Sequence, residues 1–492
     1  MRVEEQSAAY LAQTISDEWC EKPLRELVTK LVDGSHNPPP KQDTGLPMLS
    51  ARNIENNSIV FNEYRLISES AFKTEHARTR IMAGDVLLTI VGTIGRAAVV
   101  PESATPFALQ RSVAVLSPRP ELLPKFFVYQ LQSPAIQRYF EANARGTAQK
   151  GVYLKTLGQT PIQVTPIDQQ KRIVAEIEKQ FSRLDEAVAN LKRVKANLKR
   201  YKAAVLKAAV EGRLVETEAE RARRESRSFE TGAQLLQRIL ETRRGQWKGK
   251  GKYKEPAAPD TTDLPELPEG WVWTTVEQMA SLVEYGSSAK TSVDSSGVPV
   301  LRMGNIVEGE LRLDELKHLP ANHDEFPKLL LKPGDLLFNR TNSPELVGKT
   351  AVYADSPKKC SFASYLIRVR LVDGAVPKLL TAYINSSHGR TWVKSVVTQQ
   401  VGQANVNGTK LQALCVPLPP EAEQHRIVAE IDRRLTLLRA TEAQVDANLK
   451  RAERLRQSIL SRAFFGSVPK IKEMKPSPIE CLGIASSQNC TT

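Results

Sequence analysis

The sequence contains 492 residues, of which 41% are hydrophobic and 25% charged, as in a folded protein of roughly two to four domains. The 69 Lys and Arg residues against 55 Asp and Glu give a formal charge of +14, which favours a polyanionic partner such as nucleic acid. Without a membrane-length apolar run, a signal-peptide pattern or metal-ligand spacing among the five cysteines, the sequence argues against membrane, secreted and zinc-finger proteins, and we expect a cytoplasmic protein.

Seven segments are predicted along the chain. Short apolar runs broken by Gly, Pro and Asn predict strands with a few helices, and long heptad-like stretches predict helices. In chain order the segments are an N-terminal arm (1–20), an α+β domain (21–167), a long helix (168–213), a basic linker (214–265), a second α+β domain (266–420), a second long helix (421–466) and a C-terminal tail (467–492).

The chain is an internal repeat. LPMLSARNI (46–54) matches VPVLRMGNI (298–306), and TPIDQQKRIVAEI (165–177) matches LPPEAEQHRIVAEI (418–431). The AGDVLLT and PGDLLFN runs and the glycines that end the two helices match in the same order. A period this long indicates a duplicated domain plus helix rather than a solenoid.

Each long helix carries an apolar seam. Ile177, Phe181 and Leu184 begin the first, and Ile431, Leu435 and Leu438 begin the second. Such a seam requires a partner helix, and the simplest partner is the other long helix, antiparallel, as a coiled-coil spacer on the order of 65 Å long. Pairing with another subunit is the alternative.

The segment 190–255 is strongly basic. It holds 19 Lys and Arg residues against 8 Asp and Glu. A solvated helix face followed by a disordered connector explains such a run, and contact with a phosphate backbone or an acidic partner is the alternative.

The sequence contains no catalytic motif that we recognise. SPELVGKT (343–350) resembles a phosphate-binding loop, but Ser343 stands where the first glycine belongs, and the repeat predicts a strand-linking turn. HNPPPKQ (36–42) resembles the Asn-Pro-Pro-aromatic motif of adenine methyltransferases, but Pro40 replaces the aromatic residue. We therefore expect a binding protein, not an enzyme.

Two similar domains related by a pseudo-two-fold axis are suited to a DNA duplex. Two such domains are expected to meet grooves about one helical turn, roughly 34 Å, apart. Because the copies share a framework but differ in most side chains, the two half-sites should differ. We expect a bipartite, asymmetric DNA site.

Three blocks make a family resemblance specific. PLPPEAEQHRIVAEI (417–431), GTAQKGV (146–152) and LPEGWVWTTV (267–276), with the order domain, long helix, domain, long helix, resemble the specificity subunit of type I restriction–modification systems. The resemblance implies two target-recognition domains in tandem and a non-catalytic, sequence-specific DNA-binding role. The first copy departs from the pattern, with Gln169 where the second has Glu423.

The resemblance also implies partners. These are two modification (methyltransferase) subunits and restriction subunits that combine an ATP-driven translocase with an endonuclease. S-adenosylmethionine, ATP and Mg²⁺ are expected in those partners and not in this chain. Residues at the paired helix starts are the candidate partner interface: Gln170, Arg172, Gln424 and Arg426.

Loop positions that correspond in the two copies are the candidate DNA contacts. Arg and Lys suit guanine and phosphate, and Asn and Gln suit adenine. The candidates are Arg52, Arg96, Gln149 and Lys150 in the first copy and Arg302, Lys349, Gln403 and Asn405 in the second. Asn53 and Asn305 occur in both copies, which favours a structural turn.

Two other functions remain open on the sequence alone. One is a self-contained DNA-modifying enzyme with an unrecognised site, and the other is a coiled-coil scaffold without DNA readout. Turnover of a methyl donor would favour the first. Recruitment of partners without any sequence preference in a DNA-binding assay would favour the second.

Overall fold

The computed structural model describes residues 19–147, 149–249, 251–354, 359–400 and 403–465. The chain divides into two compact units: unit 1 is residues 1–191 and 447–492, and unit 2 is residues 192–446. Most of the predicted arm 1–20, all of the tail 467–492 and Gly466 lie outside the described residues.

Unit 1 contains an α+β domain. Its strands form a four-stranded sheet (β2-β10-β7-β8), a three-stranded sheet (β6-β3-β9) and the pairs β1-β11 and β4-β5. The strands are β1 (Cys20–Pro23), β2 (Val28–Asp33), β3 (Leu46–Leu49), β4 (Ile54–Glu55), β5 (Ser58–Ile59), β6 (Arg65–Ile67), β7 (Val86–Thr89), β8 (Ala97–Val99), β9 (Ala108–Leu109), β10 (Val113–Pro118) and β11 (Pro161–Val164). The helices are α1 (Leu24–Leu27), α2 (Glu69–Thr79), α3 (Pro124–Leu131), α4 (Pro134–Asn143) and α5 (Leu154–Leu157), with a 3-10 helix at Ala51–Asn53.

One long helix and two short helices follow the domain of unit 1. They are α6 (Ile167–Val210), α7 (Glu218–Arg224) and α8 (Gly232–Gly245), and the second long helix, α13 (Glu421–Phe465), ends the described chain.

Unit 2 contains the same domain again. Its sheets are β13-β22-β18-β20, β17-β14-β21 and β19-β24-β23, with the pairs β12-β25 and β15-β16. The strands are β12 (Val272–Thr275), β13 (Ala280–Tyr285), β14 (Val298–Leu301), β15 (Ile306–Val307), β16 (Glu310–Leu311), β17 (Lys317–Leu319), β18 (Leu336–Asn339), β19 (Thr341–Asn342), β20 (Thr350–Val352), β21 (Ser361–Phe362), β22 (Leu366–Leu371), β23 (Thr398–Gln400), β24 (Gln403–Asn405) and β25 (Cys415–Leu418). The helices are α9 (Val276–Met279), α10 (Pro377–Asn385), α11 (Ser387–Val396) and α12 (Gly408–Gln412), with a 3-10 helix at Met303–Asn305.

The four-stranded sheet of each unit is buried on both faces. Successive side chains of a strand point to opposite faces. In β7, Val86 and Leu88 pack into the core around α3 and α4, whereas Leu87 packs with Leu49 of β3 and Ile54 of β4. The first three residues of VLLT are therefore all apolar, because both faces need apolar side chains, and the first three of LLFN in β18 follow the same pattern.

The two long helices pair in antiparallel fashion within unit 2. Lys195 Nζ of α6 lies 2.6 Å from Asp446 Oδ1 of α13, and Arg434 Nη1 lies 3.4 Å from Tyr201 Oη. As the residue number rises along α6 it falls along α13, and Val205 and Ala209 pack with Ile427 and Ile431.

Within unit 1 the remaining halves of these helices also pack together. Ile177 and Phe181 of α6 share a core with Leu460 and Phe464 of α13. The Arg456 guanidinium lies 4.2 Å above the Phe181 ring and donates a hydrogen bond to Asp185. The predicted α+β repeat with paired, antiparallel long helices is confirmed.

The segment predicted as a basic linker is partly helical and docked. Leu235 and Ile239 of α8 are fully buried in the core of unit 2. Several arginines of this segment form ion pairs with local carboxylates, as in Arg223–Glu269 at 2.6 Å and Arg238–Glu230 at 2.9 Å. The interpretation as a disordered connector is thus wrong for α7 and α8. Their apolar faces are short and lie within a run of charged residues, so the sequence did not indicate that they pack against a domain.

Candidate nucleic-acid interface

One end of the four-stranded sheet in unit 1 gathers several loops. Antiparallel pairing of β10 with β2 and β7 brings the ends of β2 and β7 next to the start of β10, and β8 starts there too. We call the connecting residues 34–36, 90–96 and 110–112 tip 1. Gly34 is required there, because a Cβ would lie 2.3 Å from Leu109 O.

Unit 2 repeats this arrangement. The ends of β13 and β18 meet the starts of β20 and β22, and we call the connecting residues 286–288, 340–349 and 363–365, with Tyr285 at the end of β13, tip 2. Gly286 matches Gly34, since its Cβ would lie 2.3 Å from Phe362 O.

The loop 145–151 joins tip 1. Arg145 and Gly151 exchange backbone hydrogen bonds of 2.9 and 2.8 Å, which close the loop, and Gly92 N donates to Lys150 O at 3.0 Å. Gln149 and Lys150 are exposed beside the turn that carries Arg96, which is also exposed. The structure therefore brings these three predicted residues together.

Arg52 lies close to the same loops. It is exposed on the 3-10 helix, and Ala51 N donates to Ser112 Oγ of tip 1 at 3.0 Å. The nearest carboxylate oxygen, from Glu63, is 3.9 Å from Arg52 Nη1, and both side chains are more than two-thirds exposed. This ion pair is weak and leaves Arg52 available to a phosphate.

The corresponding candidate residues in unit 2 are less exposed. Arg302 is half-buried and donates from Nη2 to Glu315 O at 3.2 Å, and Asn405 donates from Nδ2 to Thr341 Oγ1 at 2.9 Å. Gln403 starts β24, but its side chain lies outside the described residues. The pairing of Thr341 with Asn405 places the β23–β24 hairpin against tip 2, as the Val91–Gly151 bridge places the loop 145–151 against tip 1.

Lys349 faces a groove rather than the open end of tip 2. The groove, of about 650 Å³, is lined by α6, α13 and the β15–β16 hairpin. The pKa of Glu308 in this groove is lowered, first by the hydrogen bond from Lys202 at 2.7 Å and also by the charge of Lys349. Lys349 is thus partly engaged within unit 2.

Asn53 and Asn305 have the predicted structural role. Asn53 is fully buried, its Oδ1 accepts from Ser50 N at 2.9 Å, and its Nδ2 donates to Val60 O at 3.0 Å. Asn305 makes the same bonds to Arg302 N and Arg312 O. The strand-linking turn predicted for SPELVGKT is also confirmed, with Gly348 at φ +80°.

The candidate partner residues divide into two kinds. Gln170 is fully buried, accepts from Leu123 N at 2.8 Å and donates to Glu121 O and Thr165 O, each at 2.8 Å. Gln424 makes the matching bonds to Val376 N, Gly374 O and Pro419 O. A buried side chain cannot contact a partner, so we correct both to structural residues that fix the helix starts.

The two arginines of that set remain nearer the surface. Arg172 is exposed on α6. Arg426 is mostly engaged, because its Nη1 lies 2.5 Å from Glu218 Oε2 of α7.

The junction between α7 and α13 carries a buried carboxyl group. Glu423 accepts hydrogen bonds from Trp271 Nε1 at 3.0 Å and from Glu218 N at 2.8 Å. Burial raises the pKa of Glu423, and these hydrogen bonds only partly oppose that effect. The corresponding Trp19 Nε1 of unit 1 is buried without a partner among the described residues, where Gln169 replaces the glutamate.

Sequence reasoning missed four residues at the tips. Arg111 is exposed at tip 1, and Arg340 lies with Tyr285 and Tyr365 at tip 2. These residues lie beside strand ends, whereas the candidates chosen from the internal repeat lie in loops. Aligning strand ends instead of sequence blocks would have found them.

The described parts of the chain contain neither a metal-binding cluster nor a membrane-spanning helix. No group of three or more His, Cys, Asp or Glu residues there could hold a metal ion. No helix there has both the length and the apolar character needed to cross a membrane.

Comparison with known proteins identifies the family. Residues 17–200 and 268–451 each match the family described as type I restriction modification DNA specificity domain. The EcoKI specificity subunit of Escherichia coli K12 is 24% identical over 439 residues, covering 87% of this chain and 83% of that protein. The StySPI specificity subunit of Salmonella potsdam is 23% identical with the same coverage.

Solved structures share the fold. A chain of a type I restriction–modification system, solved in a study of complex assembly and conformational transition, has a TM-score of 0.64 at 19% identity. The HsdS subunit from Thermoanaerobacter tengcongensis has a TM-score of 0.50 at 20% identity. Both alignments cover 92% of this chain and 98% of the other. The two family matches, one on each copy of the repeat, show that this chain belongs to the type I restriction–modification DNA specificity family.

Proposed function

We propose that this chain is the DNA-reading subunit of a type I restriction–modification complex and recognises a bipartite, asymmetric site. The supporting observation is that tips 1 and 2 share one framework but present different side chains. Asp33, Ile90 and Ser112 of unit 1 stand where unit 2 has Tyr285, Arg340 and Tyr365. Two domains with the same backbone framework but different side chains at their tips would recognise different half-sites.

Phosphate attraction supplies the affinity in this account. Arg52, Arg96, Arg111 and Lys150 are all exposed around tip 1. Each cation that neutralises a phosphate releases a counterion, so affinity falls as salt rises. The paired arginines of α7 and α8 contribute little, because local carboxylates already neutralise them.

The chain delivers partner subunits to the site and does no chemistry itself. The partners are two methyltransferase subunits and restriction subunits, in the cytoplasm, and S-adenosylmethionine, ATP and Mg²⁺ are bound by these partners. The exposed face of α6 that carries Arg172 is the docking surface we favour. The relatives are specificity subunits of restriction enzymes, which supports this assembly.

Selection from a randomised duplex library tests the function. The full chain, co-expressed with its methyltransferase partners, should enrich two short, different sequences separated by a fixed number of unread bases. Enrichment of a single motif, or of none, would contradict the proposal. Methyl transfer by the purified chain alone would instead favour a self-contained enzyme.

A further inference from the structure

Tip 2 carries an arginine stacked on an exposed tyrosine. Arg340 follows β18, and its guanidinium carbon lies 4.7 Å from the centre of the Tyr285 ring. Tyr285 is 43% exposed, and Tyr365, whose carbonyl oxygen accepts from Arg340 N at 3.0 Å, is 49% exposed. Two open aromatic rings and a cation thus share one edge of the sheet.

The backbone around this arginine is fixed on both sides. Besides the bond to Tyr365, Arg340 O accepts from Val406 N at 2.9 Å. The stacking ring is fixed too, because Tyr285 Oη accepts from Gly408 N at the start of α12 at 2.8 Å. A side chain held this way loses little conformational entropy when it binds a ligand.

Most donors of the guanidinium remain free. Nη1 donates only weakly, to Ser364 O at 3.4 Å, and Nη2 donates to nothing among the described residues, whereas Nε is buried without a partner. No carboxylate among the described residues forms an ion pair with Arg340. Arg368 and Arg370 of the same sheet differ, because they pair with Glu284 and Asp335 and so hold the sheet together.

We propose that Arg340, positioned by Tyr285, reads a guanine in the half-site bound by unit 2. This inference rests on the proposed function. A planar guanidinium whose Nη1 is only weakly engaged and whose Nη2 is free can present both amino groups to the O6 and N7 acceptors that guanine offers in the major groove. A phosphate would accept the same planar fork, but a phosphate contact would not depend on the base sequence, which the test below measures.

Unit 1 lacks this reader at the equivalent position. There Asp33 is held by Arg78 Nη2 at 2.8 Å and His36 Nε2 at 2.7 Å, and Ile90 is buried where Arg340 stands. The effect of changing Arg340 is therefore confined to one half of the recognised sequence.

The test compares Arg340→Gln and Arg340→Lys with Lys332→Gln. Lys332 is exposed just before β18, at the opposite end of that strand, and so controls for the loss of one positive charge. The full chain with its methyltransferase partners is selected on the randomised duplex library. Binding is then measured at several salt concentrations on the selected site and on versions with each guanine replaced.

At one guanine of one half-site, Arg340→Gln should lose a discrimination of about 5- to 150-fold. Arg340→Lys should lose most of it while keeping the charge. The other half-site and Lys332→Gln should keep their preferences, and the preserved half-site reports that both variants are folded. Equal weakening on all sequences with a shallower salt dependence, or unchanged discrimination, would overturn the inference. Failure of the unaltered chain to select any sequence would contradict the proposed function itself.

Discussion

At the scale of single residues, Glu423 shows how burial determines chemistry. Its carboxyl group is fully buried and receives hydrogen bonds from Trp271 and from the first residue of α7. Because desolvation raises its pKa above the ordinary value of 4.5, the folded chain binds a proton at this group more tightly than the unfolded chain does.

Replacing this residue should therefore change how stability depends on pH. The stability that Glu423 contributes is fully present below pH 4.5 and is lost as pH rises through the raised pKa. In Glu423→Gln that loss disappears, so the variant gains on the unaltered protein between pH 4.5 and neutrality. Urea unfolding at several pH values measures the difference, and parallel curves would contradict the assignment.

Buried polar residues that the two copies share show where sequence reasoning succeeds and fails. The shared Asn53 and Asn305 were predicted to be structural, because a residue that binds sequence-specifically should differ between copies. Gln170 and Gln424 are shared too, yet they were assigned to a partner surface. The sequence does not show which way a glutamine in the first turn of an amphipathic helix points, and only the bonds to Leu123 N and Val376 N reveal it.

At the scale of elements, α8 packs closely against the backbone of unit 2 at Gly232. A Cβ at Gly232 would lie 2.3 Å from Leu418 O and 3.0 Å from Gly270 O, both backbone atoms. We expect Gly232→Ala to destabilise unit 2 by about 1–3 kcal/mol, as overpacking does. Gly245 at the other end of the helix has nothing within 4 Å, so Gly245→Ala should be neutral or stabilising. Equal melting temperatures for the two variants would contradict this docking.

The packing of α13 in unit 1 is tested by two leucines on that helix. Leu460 is 1% exposed and shares a core with Phe181, whereas Leu455 is 46% exposed. We expect Leu460→Ala to cost about 2–4 kcal/mol of unfolding free energy, because it leaves a cavity. Leu455→Ala should cost about 0.5 kcal/mol or less. Denaturant unfolding measures both losses of unfolding free energy. A larger loss for Leu455→Ala than for Leu460→Ala would show that the opposite face of α13 packs in the core.

The apolar seam was predictable only in part. Ile177, Phe181 and Leu438 are buried as the heptad pattern indicated, but Leu184 and Leu435 are only half-buried. A heptad pattern assumes one uniform partner along the whole helix. Here α13 and the domain of each unit cover different stretches, and the sequence does not show where one neighbour replaces another.

At the scale of the whole molecule, most of the predicted fold was inferred from the internal repeat. Blocks such as LPMLSARNI and VPVLRMGNI fixed the number of domains and the helix after each one. They directed attention to what the copies share, however, and recognition depends on what they do not share. Arg340 and Tyr285 have no chemical counterparts in unit 1, so no internal match pointed to them.

The central claim is that each unit reads its own half of a bipartite site. The direct measurement is to replace residues 21–167 with the corresponding domain of a relative and repeat the selection on randomised DNA. We predict that one half of the recognised sequence changes completely, while the other half and the number of bases between them stay the same. A change in both halves, or in their separation, would show that the units do not read independently.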